Sequence, residues 1–239
     1  MDGMVKVAAI IQARLSSQRL PGKVLKDLHG KTLLERVIGQ AQKSSSVDEI
    51  WLATSAEPED DLLEIAGRRL GVSVYRGPLD NVLQRFYETA EHSGADLIVR
   101  ITADNPLVEP RFIDQGLAAL QANRLDYVGM EHVPYGTGIE VFTRQALIRA
   151  AQEATSDYER EHVTPYILNH PEKFNMIKIQ PELKHLQRED VRLTIDTMED
   201  YVKMYKLFYH LENQKIEVTL EQAIQYIDKL PELLHQDGA

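Results

Sequence analysis

The stretch Gln12-Ala13-Arg14-Leu15-Ser16-Ser17-Gln18-Arg19-Leu20-Pro21-Gly22-Lys23 gathers three cations, Arg14, Arg19 and Lys23, into one short loop. Cations at this density, with two hydroxyls, a glycine and free backbone N–H groups, suit the oxygens of a polyphosphate. The loop follows the apolar run Val5–Ile11, which reads as a buried strand, and precedes an amphipathic helix beginning near Thr32. It therefore lies at the carboxyl end of a first strand, the edge where open α/β sheets bind ligands. The chemistry this predicts is triphosphate binding.

A solvated basic turn is the commoner fate of such a cluster. Charge balance argues for the ligand. The 239-residue chain has a net charge of −10, yet residues 1–36 carry seven Lys/Arg against three Asp/Glu. Cations concentrated against the global sign point to an anionic ligand. The loop is not a Walker A motif: Gly30-Lys31-Thr32 imitates its tail, but the position of the required first glycine holds Leu25. No Gly-x-Gly-x-x-Gly follows the strand, so it is not a dinucleotide fingerprint either.

The pattern Gln-Ala-Arg-x-x-Ser-x-Arg-Leu-Pro-Gly-Lys, followed by Gly30-Lys31 and an apolar helix, resembles the nucleotide-sugar cytidylyltransferases, and within them the spore-coat polysaccharide (SpsF-like) branch. Relatives of that branch activate acidic sugars such as 3-deoxy-manno-octulosonate and the sialic acids. Further matches follow in order: Ala53-Thr54-Ser55, Arg76-Gly77 with Asp80-Asn81-Val82-Leu83, Arg100-Ile101-Thr102-Ala103-Asp104-Asn105-Pro106, Glu159-Arg160-Glu161-His162-Val163-Thr164-Pro165, and Leu193-Thr194-Ile195-Asp196. The resemblance implies an α/β, Rossmann-like nucleotidyltransferase fold. It also implies transfer of CMP from CTP to a sugar, with release of pyrophosphate.

On the residues alone, Asp104 and Asp196 each end an apolar strand-like run and each has a second explanation. Asp-Asn-Pro is good turn chemistry, and Thr197 with Asp200 can cap a following helix. Two carboxylates at two strand ends also suit one Mg2+, which takes one or two protein carboxylates and substrate phosphates. The resemblance favours the metal for both.

With Arg14 and Lys23, these two acids form the expected catalytic set. The expected nucleotide contacts are Gln12, Ala13, Arg14, Ser17, Arg19, Lys23, Thr54, Ser55, Arg76, Gly77, Asp80 and Thr102. Ser55 and Asp80 read equally well as helix caps. On the sugar side the resemblance places Tyr135, Thr137, Glu140, Arg160, Glu161 and His162. Many relatives have an acid where Gly138 stands here. Arg160 is the best match to a sugar carboxylate, because a guanidinium fits that group bidentately, whereas Ser156 with Glu159 reads as a capping box.

The elements that must position these residues alternate. Strands are predicted at Val5–Ile11, Glu49–Thr54, Val72–Arg76 and Asp96–Thr102, and helices at Thr32–Lys43, Pro58–Leu70, Asp80–His92 and Pro110–Gln121. Such alternation makes a mostly parallel sheet flanked by helices. Beyond Leu125 the pattern predicts short strands at Tyr127–Met130 and Gly138–Phe142, helices at Arg144–Glu153 and Glu159–Asn169, and strands at Phe174–Ile179 and Asp190–Ile195. Helices at Tyr201–Leu211 and Leu220–Lys229 close the chain. We read one domain, 1–239, with residues 127–189 as a small lid-like subdomain on the sugar side.

Composition narrows the rest. There is no cysteine, which excludes disulfides, thiolate catalysis and Cys-bound zinc. The acidic balance argues against nucleic acid or an anionic membrane as partner. No apolar run approaches the roughly 20 residues of a membrane helix, and no signal peptide opens the sequence. A cytoplasmic enzyme acting on CTP and a sugar is expected, and the resemblance adds a homodimer. Two alternatives stay open at this point: a sugar-1-phosphate transferase using UTP or GTP, and a non-catalytic nucleotide-sugar binding protein.

Overall fold

Val7 to Ile11 are buried without a break, so this strand needs cover on both faces. The computed structural model, which describes residues 5–230, supplies it. The strands are β1 (Val7–Gln12), β2 (Glu49–Ser55), β3 (Ser73–Gly77), β4 (Leu97–Thr102), β5 (Tyr127–Met130), β6 (Glu140–Thr143) and β7 (Met176–Ile179). They form one seven-stranded sheet in the order β3-β2-β1-β4-β6-β5-β7. All neighbours are parallel except β6, which runs antiparallel to β4 and β5.

The helices are α1 (Leu33–Ala41), α2 (Asp61–Arg69), α3 (Val82–Ser93), α4 (Pro110–Asn123), α5 (Arg144–Glu153), α6 (Asp157–His162), α7 (Pro165–Asn169), α8 (Met198–Asn213) and α9 (Leu220–Asp228). Alternate residues of β1 feed two cores. Val7, Ala9 and Ile11 pack with residues of α1, α4, α8 and α9. Ile10 packs on the other face with Val82, Leu83 and Phe86 of α3 and with residues of α5 and α7.

The chain steps from β1 outward to β2 and β3, then returns to place β4 on the other side of β1. The strand order therefore reverses between β1 and β4. Their register sets Gln12 beside Thr102, so the loops after both strands open at that point, where ligands of such sheets bind. Capping boxes fix several helix starts: Thr32 with Glu35, Ser156 with Glu159, and Thr197 with Asp200.

Within segment 127–189, β5, β6 and β7 belong to the sheet itself, and the end of α6 reaches the open edge of β1. Three local expectations need correction. The helix expected over Glu159–Asn169 is two short ones: Pro165 has no N–H to continue the ladder, and Val163 turns the chain at φ +73°. Asp190–Ile195 is not a strand. It is extended, but its partners are loops: Leu193 N donates to Tyr135 O (2.7 Å) and Ile195 N to Asp104 O (2.9 Å). Finally, Asn81 rather than Asp80 caps α3, accepting from Gln84 N at 2.9 Å.

Candidate functional site

The loop after β1 closes on Leu15. Its carbonyl accepts from Ser17 N at 2.8 Å and from Gly22 N at 3.0 Å. Gly22 has φ +66°, a conformation a side chain resists, and it starts the single 3-10 turn Lys23–Leu25. That turn sends the Lys23 side chain inward until it is 12% exposed. A buried ammonium needs oxygen partners, and Lys23 Nζ has three: Asp104 Oδ2 at 3.0 Å, Asp196 Oδ1 at 3.1 Å and Ile195 O at 2.7 Å.

Asp196 is the most heavily compensated acid of the site. Besides Lys23 it meets Arg19 Nη2 at 3.0 Å and Arg192 Nη2 at 2.6 Å. Its neighbours leave it free for this. Asp200, not Asp196, fills the capping box of α8 and accepts the Asp196 and Thr197 N–H groups. Arg14 reaches across the loop to Glu161 of α6, at 3.4 Å.

Arg14, Arg19, Lys23, Asp104, Glu161 and Asp196 line one cleft of about 430 Å³ at the open edge of β1 and β4. Of the residues expected from sequence, it gathers Gln12, Ala13, Arg14, Ser17, Arg19, Lys23, Thr102, Asp104, Glu161, His162 and Asp196. Asp104 and Asp196 share one ammonium, which brings the two carboxylates to the same side of the cleft. Among the described residues no group of three or more His, Cys, Asp or Glu could hold a metal ion. A hard-oxygen set of two carboxylates fits magnesium that completes its shell with phosphate and water.

Other expected residues are engaged elsewhere. Arg76 donates to Ser55 O and Glu57 O and pairs with Asp61 and Glu64, tying β3 to α2. Gly77 is buried and Asp80 exposed, and neither lines the cleft. Thr54 and Ser55 are fully buried. Ser55 instead borders a neighbouring cavity of about 330 Å³, together with Ser16, Asp60 and Leu79.

Thr137 bonds Pro134 O within its own turn. Glu140 is held by Arg100, by Tyr127 Oη at 2.7 Å and by Thr164 Oγ1 at 2.7 Å, a network that joins β4, β5 and β6 to the turn before α7. Burial and the Glu140 charge push the Tyr127 hydroxyl far above its ordinary pKa. Arg160 faces Asp157 rather than the cleft. Tyr135 is exposed, with the Arg192 guanidinium 4.6 Å from its ring centre.

Arg85 was not expected. It lies on the buried face of α3, 1% exposed, and lines the cleft. Its Nη1 donates to Pro78 O at 2.9 Å, and among the described residues its Nε has no partner and no carboxylate forms an ion pair with it. Burial drives its pKa down to about 10, partly offset by the field of Asp60. A signal was present in the sequence: an arginine at the same helical face as Val82, Leu83, Phe86 and Ala90. An unpaired cation is costly to bury, so a cation kept at the wall of a cleft is a candidate for an anionic or carbonyl ligand.

A family model described as cytidylyltransferase matches residues 8–234. The spore coat polysaccharide biosynthesis protein SpsF of Bacillus subtilis is 34% identical over 235 residues, 96% of this chain and 97% of that protein. A 3-deoxy-manno-octulosonate cytidylyltransferase of Geobacter sulfurreducens is 36% identical over 121 residues, 50% of this chain and 47% of the enzyme. Among solved structures, a cytidylyltransferase of Leptospira borgpetersenii superposes with a TM-score of 0.89 at 29% identity, covering 98% of this chain and 99% of that one.

Proposed function

Because this chain belongs to the cytidylyltransferase family, we propose that its cleft binds CTP and transfers CMP to the hydroxyl of a sugar, most simply an acidic one, for a surface polysaccharide. The observation that carries this reading is the meeting of the β1 loop with two acids, Asp104 after β4 and Asp196 before α8. Arg14, Arg19 and Lys23 stand in one cleft with Asp104 and Asp196.

In this reading the sugar oxygen attacks the α-phosphorus of CTP. The bond from that phosphorus to the β-phosphate oxygen breaks, pyrophosphate leaves with the electron pair, and the hydroxyl proton passes to solvent. Arg14, Arg19 and Lys23 hold the β- and γ-phosphates and neutralise the charge that develops on the leaving group. Ser17 and the loop N–H groups add hydrogen bonds. Asp104 and Asp196 are the residues that would hold Mg2+, which when bound supplies Lewis-acid polarisation of the α-phosphate. Lys23 then exchanges its carboxylate partners for phosphate oxygens. The Arg85 guanidinium, buried and short of partners, offers donors to the nucleotide from the cleft wall.

The test is pyrophosphate release with CTP, UTP, GTP and ATP across a panel of acidic and neutral sugars. Release with CTP and an acidic sugar is expected. Release only with UTP or GTP and a sugar 1-phosphate would reject this reading, as would nucleotide binding without turnover on any sugar tested.

A further inference from the structure

Asp60 stands at the N-cap position of α2, where an aspartate ordinarily serves its own helix. Its side chain makes no such bond. Both oxygens point away from α2 instead. Oδ1 accepts Leu15 N–H at 2.8 Å, and Oδ2 accepts the N–H of Ser55 at 3.2 Å as well as its hydroxyl. The residue is 2% exposed. A carboxylate in such burial is retained at a cost unless its partners are well placed, and here the partners belong to the loop after β1 and the end of β2.

Leu15 is also the residue on which that loop closes, through its carbonyl to Ser17 N and Gly22 N. One carboxylate therefore holds the amide of the residue whose carbonyl shapes the loop carrying Arg14, Arg19 and Lys23. We propose that Asp60 is a positioning residue that fixes the root of the phosphate loop to the sheet, so that the three cations are aimed before nucleotide arrives. The proposal rests on the nucleotide reading of the cleft.

The test compares Asp60→Ala and Asp60→Asn in the full-length protein. The readouts are amide hydrogen exchange without ligand, thermal melting, and calorimetry with CTP and CMP. Asn keeps one oxygen for Leu15 N–H and can meet the Ser55 hydroxyl with its amide nitrogen, while the Ser55 N–H bond is lost, so it should still hold the Leu15 root of the loop although the β2 side is weakened. Ala cannot. In Asp60→Ala, exchange at Leu15 should accelerate while Ile10 and Ile11 of β1 stay protected, as expected for a local opening.

CTP affinity should fall about tenfold or more in Asp60→Ala, because misplaced charges lose their geometry, with CMP affinity nearly unchanged. Asp60→Asn should stay close to wild type in both. Unchanged Leu15 protection in Asp60→Ala overturns the proposal, and so does Asp60→Asn matching Asp60→Ala. If Asp60→Ala does not fold, Asp60→Asn decides alone: a protected Leu15 amide supports the anchor and an unprotected one rejects it. If the wild-type protein fails to bind CTP, the reading of the cleft falls, while Leu15 exchange still judges the anchor.

Discussion

Lys23 and Asp196 are 173 positions apart in the chain and 3.1 Å apart in the fold. The same ammonium holds Asp104 at 3.0 Å. Each loop cation that meets these acids is therefore neutralised locally before a ligand enters. In the proposed reading, the phosphates of a nucleotide would take over these cations, and Asp104 and Asp196 are the residues that would hold a metal ion.

The loop cations should separate triphosphate from monophosphate. Arg19→Ala removes a largely exposed guanidinium whose carboxylate partner is Asp196. Loss of a charge-assisted contact costs about 1.5–3 kcal/mol. CTP affinity should fall by that amount while CMP affinity barely changes. Calorimetry with both nucleotides measures the difference, and equal losses would remove Arg19 from the distal phosphates.

Asp104→Asn and Asp196→Asn should fold and fail to turn over. Asn keeps the shape and gives up the negative charge that magnesium requires. Nucleotide affinity should fall modestly, because phosphates also hold the ion, whereas the single-turnover rate should fall by orders of magnitude. Either variant reacting near the wild-type rate would reduce its aspartate to a partner of Lys23.

Arg85→Met should show stability and function moving in opposite directions. A buried charge with no carboxylate partner among the described residues costs desolvation, so replacing it by an apolar side chain of similar length is neutral or stabilising. The melting temperature at neutral pH should therefore hold or rise while CTP affinity drops. The pH dependence has a definite sign. Burial lowers the Arg85 pKa to about 10, so the folded state binds fewer protons than the unfolded chain above that pH. Arg85 thus destabilises the fold at neutral pH and does so less as pH climbs from about 10 toward its ordinary value. The melting-temperature gain of Arg85→Met over wild type should shrink across that window, and a constant gain would contradict the assignment.

Glu161→Gln should tighten triphosphate binding slightly. The Arg14–Glu161 pair is 3.4 Å long and half exposed, so it is worth no more than about 1 kcal/mol. Releasing Arg14 should improve CTP affinity by a few-fold at low salt, with the gain fading as salt screens the site. Titrations at two ionic strengths test this, and a weakened affinity would mean that Glu161 itself contacts the bound nucleotide or its metal.

Much of this molecule is legible in its sequence because the signals are local. The buried run of β1, the Gly22 turn, the cations of the loop and the capping boxes at Thr197 and Ser156 each depend on neighbours a few residues away. The motif order from Gln12 to Asp196 carried the family for the same reason.

The partners of individual side chains were not legible. Arg76 sits in a motif that the resemblance assigns to the nucleotide pocket, and in the fold it pairs with two acids of α2. Glu140 sits in the sugar-side stretch, and in the fold it is held by Arg100, Tyr127 and Thr164. Asp190–Ile195 has a strand's pattern, but the strand positions beside it are filled by loops, and only tertiary packing decides that.

The sequence by itself determined which residues carry charge at the end of the first strand, since residue type and strand pattern are properties of short segments. Only the tertiary structure decided which cations Asp196 meets from the far end of the chain, that Arg85 is buried with its Nε unpartnered among the described residues, and that Asp60 serves the loop rather than its own helix. Each of those facts depends on distances between segments the sequence keeps far apart. Those distances are set by the packing of helices on both faces of one sheet.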